Sequence, residues 1–169
     1  GGKIAVSGSA GALAGASMRG GMIDIARNAG ERAGGVAVGE AHGMRGGRLS
    51  IGGMAGALLG ECMRRGLIIG RRGAGDYAAA RMVAGTILLK GPVGRWAGYG
   101  LRRGSLILDK EPKELLETFG DCGTLDFTWL RILDWHLKAT DARFKVGYRA
   151  RRLMGDMAVL GKGEMLILA

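Results

Sequence analysis

Residues 46–64 read GGRLSIGGMAGALLGECMR, and the way this stretch recurs decides the fold. Gly46 and Gly47 open it, and Leu49 and Ile51 then alternate with Arg48 and Ser50. That is the period-two pattern of a strand with one buried face. Gly53, Gly56 and Gly60 punctuate the remainder, with Ala55, Leu58 and Leu59 between them, and Met63–Arg64 leads into the next unit. Counted from the second glycine of each opening, the phrase restarts at Gly2, Gly21, Gly47, Gly66, Gly85 and Gly104. The interval is nineteen residues except between Gly21 and Gly47, where the seven residues Ala37–Gly43 are added. They are expected to project as a loop.

The register is strict. Two places on stand Ile4, Ile23, Leu49, Ile68, Ile87 and Leu106; four places on stand Val6, Ile25, Ile51, Gly70, Leu89 and Leu108. The ninth place is glycine in Gly11, Gly30, Gly56, Gly75 and Gly94. The sixteenth, past the insertion, is Met18, Met44, Met63, Met82 or Leu101. A unit this short cannot bury its own apolar face and must stack on its neighbours. Leucine-rich repeats need an asparagine ladder that is missing here. Helical repeats need about 33 residues and helix formers rather than 34 glycines. The expected fold is all-β: a right-handed parallel β-helix, or β-solenoid, of nineteen-residue coils over residues 1–108. A short α-helical flank and closing strand are expected over 109–169. The chain begins in mid-phrase without a methionine, so further coils are expected upstream.

The charge is uneven. The chain carries +10; residues 1–108 hold fifteen Lys and Arg against five Asp and Glu, and residues 109–169 hold ten of each. Arg19, Arg45, Arg64 and Arg102 follow the sixteenth-place residue, with Arg65 and Arg103 beside them. Stacked coils bring these cations onto one edge, where like charges disfavour each other. That favours an anionic counterpart. A solvated edge that keeps the β-surface soluble is the other reading, and the sequence does not separate the two.

Along the outward third place, early coils carry Ala5, Asp24 and Ser50, and later ones Ile69, Leu88 and Ile107. This apolar ladder needs a cover, either a partner or the chain's own tail. Tyr77 and Trp96 take the place of Leu13 and Leu58 in earlier coils and read as packing residues. In the tail, Pro112 to Phe119 followed by Gly120 reads as a short helix. Asp126 to Ala139 places Trp129, Leu130, Leu133 and Leu137 on one helical face, a natural cover for Ile69, Leu88 and Ile107. Met154 to Ala169 returns to β character and reads as a closing strand.

The chemistry-bearing residues form no site. The glycine phrases lack the Gly-Lys-Ser/Thr of a phosphate loop. His42, in the insertion, and His136, in the tail helix, have no partner pattern. No metal cluster and no nucleophile beside a histidine occurs. Cys62 and Cys122 match no metal or redox spacing and read as free thiols of a reducing compartment. Charge alone suggests nucleic acid, but aromatic residues are 5% and no stacking platform appears, so no nucleic acid partner is expected. No run is long enough to span a bilayer and none has a signal-peptide layout. No membrane partner and a cytoplasmic place are expected.

The repeated Met-Arg-Gly-Gly-x-Ile/Leu-x-Ile phrase, with Gly30-x-x-x-Gly34, Gly56-x-x-x-Gly60, Gly75-x-x-x-Ala79 and Gly94-x-x-x-Gly98, resembles the GXGXG β-helix. That domain ends the glutamate synthase large subunit and forms the C-type subunit of formylmethanofuran dehydrogenase. Lys110-Glu-Pro-Lys, Thr118-Phe119, the Phe127–Leu137 helix, Gly155-Asp156 and the ending Gly161–Leu168 resemble that dehydrogenase subunit and its relative in methylotrophs. The relative is the C-type subunit of the formyltransferase/hydrolase complex, which the basic, Arg- and Ala-rich composition favours.

The resemblance implies a non-catalytic scaffold. A formyltransferase subunit moves formyl from tetrahydromethanopterin to a methanofuran-type carrier, and an amidohydrolase-like subunit with metal releases formate. The C-type subunit packs beside a molybdopterin-enzyme-like subunit. The carrier's polyglutamate tail would suit the edge of Arg19, Arg45, Arg64, Arg65, Arg102 and Arg103. The C-type subunit of a true formylmethanofuran dehydrogenase and a glutamate-synthase-type domain remain as alternatives.

Overall fold

The computed structural model describes residues 1–140 and 145–169. Its elements, in chain order, are β1 (Lys3–Val6), β2 (Met22–Ile25), β3 (Arg45–Ile51), β4 (Arg65–Gly70), β5 (Thr86–Leu89) and β6 (Arg103–Leu108). Then come β7 (Gly120–Asp126), α1 (Thr128–Thr140), β8 (Arg149–Gly155) and β9 (Lys162–Leu168). All strands join one nine-stranded sheet in the order β1-β2-β3-β4-β5-β6-β9-β8-β7. The first six are parallel, and each residue pairs with its repeat counterpart, so that Ile68 faces Leu49 on one side and Ile87 on the other. Their backbone groups therefore bond across repeats and not within one, which makes each unit depend on its neighbours.

A second parallel column runs through single bridges between Ala10, Ala29, Ala55, Ala74 and Val93. The core fills the space between the two columns. Leu49, Ile51, Ile68, Ile87, Leu89, Leu106 and Leu108 enter it from the strands, and Met44, Met63, Met82 and Leu101 close its side; all are buried. Burial deepens along the stack: Ile4, in the first unit, is 58% exposed, while its counterparts from Leu49 onward are at 0%. A unit with a neighbour on only one side cannot seal its own strand.

Two glycine positions carry the spacing. At the ninth place the backbone of one unit lies against that of the unit before. A Cβ on Gly56 would sit 2.7 Å from the Glu31 nitrogen, and one on Gly75 2.8 Å from the Ala57 nitrogen. At the opening, Gly47, Gly66, Gly85 and Gly104 have φ between 85° and 110°, and a Cβ there would meet the methionine Cε of the preceding unit at 2.5–2.8 Å. Leu13, Arg32, Leu58, Tyr77 and Trp96, all at the eleventh place, also have positive φ, from 55° to 62°. A left-handed backbone in bulky residues is costly. In Leu13, Arg32, Leu58 and Tyr77 it aims the N–H at the next unit, as in Leu58 to the Asp76 carbonyl at 2.9 Å and Tyr77 to that of Arg95 at 2.9 Å. On this corner the rings of Tyr77 and Trp96 lie 5.0 Å apart, and Tyr99 meets Tyr77 edge-on at 5.9 Å.

The tail finishes the stack. β9 adds parallel to β6, and β8 and β7 follow antiparallel. Phe119 covers the open end of the core beside Leu153 and Met165. Across the sheet's outward face, α1 lays Leu130 and Leu137 over Ile69, Leu88 and Ile107, joined by Val146, Ala150 and Leu166, with Trp129 and Leu133 partly buried at the margin. The three ladder residues are at 0% exposure, so their cover is the chain's own tail and they are not open to a partner in this structure. No helix among the described residues is long and apolar enough to cross a membrane.

One expectation is corrected. Pro112 to Phe119 forms no helix. Glu114 instead bridges to Arg95 and the Lys113 N–H bonds to the Val93 carbonyl at 2.9 Å, extending the second column, while Leu115 and Leu116 pack on the core. A segment this short has little helical stability of its own, whereas the last unit offers it ready backbone partners.

The stacking makes a differential prediction. Gly56→Ala places a methyl against the backbone of the unit before and should cost about 2 kcal/mol or more in urea unfolding. Gly11→Ala, at the same repeat place but with nothing within 4 Å of its Cβ, should stay within about 0.5 kcal/mol.

Candidate functional site: a basic groove

Every repeat leaves its sixteenth residue by the same backbone bond. The N–H of Arg64 donates to the Met44 carbonyl at 2.9 Å, that of Val83 to Met63 at 2.8 Å and that of Arg102 to Met82 at 2.9 Å. Residues at the seventeenth and eighteenth places therefore project from a fixed ladder about 4.8 Å per step. Arg64–Arg65 stand on one rung and Arg102–Arg103 two rungs along, and the rung between them carries Val83–Ala84. The small pair leaves a hollow of about 810 Å³ lined by Arg45, Arg64, Arg65, Arg102 and Arg103, with Leu160 at its side. Arg45 reaches this group through an irregular register between Arg45 and Arg48, which makes it the direct partner of Arg65. The structure thus brings five of the six sequence-singled arginines together; Arg19, exposed in the first unit, is not among the lining residues.

The five are not equivalent. Arg45 is ion-paired with Glu40 of the insertion, and Arg64 Nη1 lies 3.2 Å from His42 Nε2. Among the described residues Arg65, Arg102 and Arg103 have no carboxylate partner, and Lys162 lies in register with Arg103. The groove is open, cationic and apolar at one edge, a geometry suited to an extended anion.

Beside it lies a smaller hollow of about 450 Å³ that shares Val83 and Arg102 and is lined further by His42, Cys62, Arg81, Tyr99 and Asp156. Two buried carboxylates frame it. Glu61, 1% exposed, ties three units together by pairing with Arg81 and, at 3.4 Å, with Arg32; its hydrogen bond raises the Arg81 pKa further above the ordinary guanidinium range. Asp156, 3% exposed, accepts from the N–H of Gly100 at 3.0 Å and of Ala158 at 2.8 Å. Burial by itself would raise its pKa, but the Thr118 side chain and those two N–H groups outweigh it and hold the carboxyl below its ordinary value. Asp156 thereby fixes the turn that presents Val159 and Leu160 to the two hollows.

Sequence reasoning found the arginines and missed their surroundings. Glu40 and His42 were parts of a loop, and nothing in the repeat register pointed them at Arg45 and Arg64. No register position marks Glu61, and Asp156 enters only through the Gly155-Asp156 resemblance. Among the described residues no group of three or more His, Cys, Asp or Glu could hold a metal ion. Cys62 and Cys122 are both free.

No family model matches the chain, and no curated protein matches it. Among solved structures it is similar to a chain in the X-ray crystal structure of the formyltransferase/hydrolase complex (FhcABCD) from Methylorubrum extorquens in complex with methylofuran. The two are 44% identical with a TM-score of 0.92, over 99% of this chain and 63% of that one. The chain thus spans 63% of the length of the protein it matches. At that identity the similarity is more than a shared outline, since the strand register and the tail that closes it are both covered.

Two outcomes check the buried acids. Asp156, with its pKa depressed in the fold, contributes stability above the unfolded carboxyl value of about 4. That contribution fades as pH falls through the lower folded value. The stability gap between wild type and Asp156→Asn should therefore be full at pH 7 and narrow below about pH 4 in chemical unfolding. At neutral pH, the Arg32→Ala/Arg81→Ala double variant strands a buried charge and should lose about 3 kcal/mol. Glu61→Gln, which leaves only two half-exposed arginines unpaired, should lose less.

Proposed function

We propose that this chain is the C-type subunit of a formyltransferase/hydrolase complex, a non-catalytic scaffold folded as a right-handed parallel β-helix of the GXGXG kind. In this reading residues 1–108 are the coil body and 109–169 its flank, and the protein works in the cytoplasm beside formyltransferase, amidohydrolase-like and molybdopterin-enzyme-like subunits. The complex transfers formyl from tetrahydromethanopterin to a methanofuran-type carrier and releases formate. The groove of Arg45, Arg64, Arg65, Arg102 and Arg103 holds the polyglutamate tail of that carrier, with Arg19 an outlying cation of the same edge.

The observation that carries the reading is the conjunction of the groove and the relative. Among the described residues Arg65, Arg102 and Arg103 stand without carboxylate partners on a regular backbone ladder, in a chain 44% identical to part of a complex crystallised with methylofuran. Rigid spacing is what a polyanion exploits. Each exposed pair contributes little by itself, but neighbouring charges on one tether act together through effective concentration. A tail held this way leaves the reactive end free to move. The similarity to that complex supports this company over the dehydrogenase and over a glutamate-synthase-type domain.

The test is binding of polyglutamate to the full chain by calorimetry in a series of salt concentrations. Replacing Arg64, Arg65, Arg102 and Arg103 with Ser should weaken binding by about tenfold or more and flatten its salt dependence. Arg19→Ser should change it less than twofold. Unchanged binding in the fourfold variant, with the fold intact, would overturn the docking role.

A further inference from the structure

The outer side of α1 is apolar and open. Its inner side is spent on Ile69, Leu88 and Ile107, yet Ile132 is 66% and Trp135 71% exposed on the other. Tyr148, 44% exposed, packs on Arg131 of the same helix. Its carbonyl accepts the Phe127 N–H at 2.6 Å, which pins the start of β8 against the start of α1. The Arg131 guanidinium sits 4.4 Å from the centre of the Tyr148 ring. Leu125, 42% exposed on β7, flanks the same helix end. Trp, Tyr and Arg with aliphatic neighbours are the residue types that anchor protein interfaces. An exposed apolar patch that includes a tryptophan is a mark of an interaction surface.

The charge around the patch says what kind of partner. Of the described acids near it, Asp134 pairs with Lys138 at 2.6 Å and accepts the Val146 N–H at 2.8 Å, and Asp126 pairs with Arg149 at 3.5 Å. Arg131 has an aromatic ring but no carboxylate among the described residues. Among the described residues the surface is therefore apolar, with the Arg131 guanidinium unmatched by a carboxylate. Two copies meeting about a twofold axis would bring these cations together, in a chain that already carries +10. An acidic partner would gain both apolar burial and the missing counter-charge.

We propose that Ile132, Trp135, Tyr148 and Arg131 form the docking surface for a different protein chain, one that presents an apolar hollow rimmed by carboxylates. This rests on the reading that the chain is a subunit of a larger assembly, and it places one contact on the face bearing α1, formed by residues outside the arginine groove.

The test uses the assembly purified through a tag on this chain, with partners identified by mass spectrometry, and the free chain beside it. Trp135 should oxidise at least tenfold more slowly in the assembly than in the free chain under hydroxyl-radical footprinting. Trp135→Glu should lower incorporation at least tenfold while melting temperature and polyglutamate binding stay as in wild type, and Trp135→Phe should restore it. Equal oxidation in both samples overturns the proposal. So does protection in the free chain that grows with its concentration, which would mean a second copy. If the partners are not formyltransferase or hydrolase subunits, the functional reading falls, but Trp135 protection is still scored against whichever chain is present. A tagged chain that purifies alone overturns both.

Discussion

Each unit of this protein directs its backbone hydrogen bonds at the neighbouring unit, and the rest of the molecule accommodates the close approach of the two. Strands about 4.8 Å apart leave no room for a side chain where the corner of one unit lies on the next, which is why Gly56 and Gly75 face backbone nitrogens below 3 Å from a notional Cβ. The same bonds accompany a left-handed conformation at the eleventh residue whether it is Leu13, Arg32, Leu58 or Tyr77. Side-chain identity there is free; backbone conformation is not. Local strain is tolerated because each strained residue donates a bond that its unit cannot satisfy internally.

Such a stack has no natural end, and the tail answers this twice. Phe119 with Leu153 and Met165 seals the core beyond the last unit, and β9 takes up the edge of β6 before β8 and β7 turn the sheet antiparallel. The helix does a different task. It covers Ile69, Leu88 and Ile107, which belong to the outward face where Asp24 and Ser50 stand in earlier units. Apolar ladder and amphipathic helix are two halves of one solution, written in separate parts of the sequence.

That is also the measure of what could be read in advance. Register, strand positions and the covering helix were legible because each rests on a periodicity: nineteen for the units, two for the strands and 3.6 for α1. Pro112–Phe119 was misread because its composition suits a helix, while its backbone is claimed by Val93 and Arg95 through contacts no local pattern encodes. β7 and β8 went unseen for a related reason. GDCGTLD is exposed throughout and has no apolar alternation, so only pairing makes it a strand. In the groove the arginines followed from the register, whereas the hollow comes from the small pair Val83–Ala84 and from a turn ending at Leu160, far along the chain.

The selectivity proposed for the groove rests on the contrast between a fixed backbone and mobile side chains. Its backbone ladder is as rigid as the stack, yet the guanidinium groups sit on long side chains at the surface, where single ion pairs are weak and screened. Glu40 pairs with Arg45 and partly neutralises one end of the groove, and His42 lies against Arg64, while among the described residues Arg65, Arg102 and Arg103 have no carboxylate partner. A short anion would find too few cations in reach. A long flexible one can engage several rungs at once, dwell without a deep pocket and release any one contact cheaply, with the gap at Val83–Ala84 giving its backbone room to cross between the two arginine pairs.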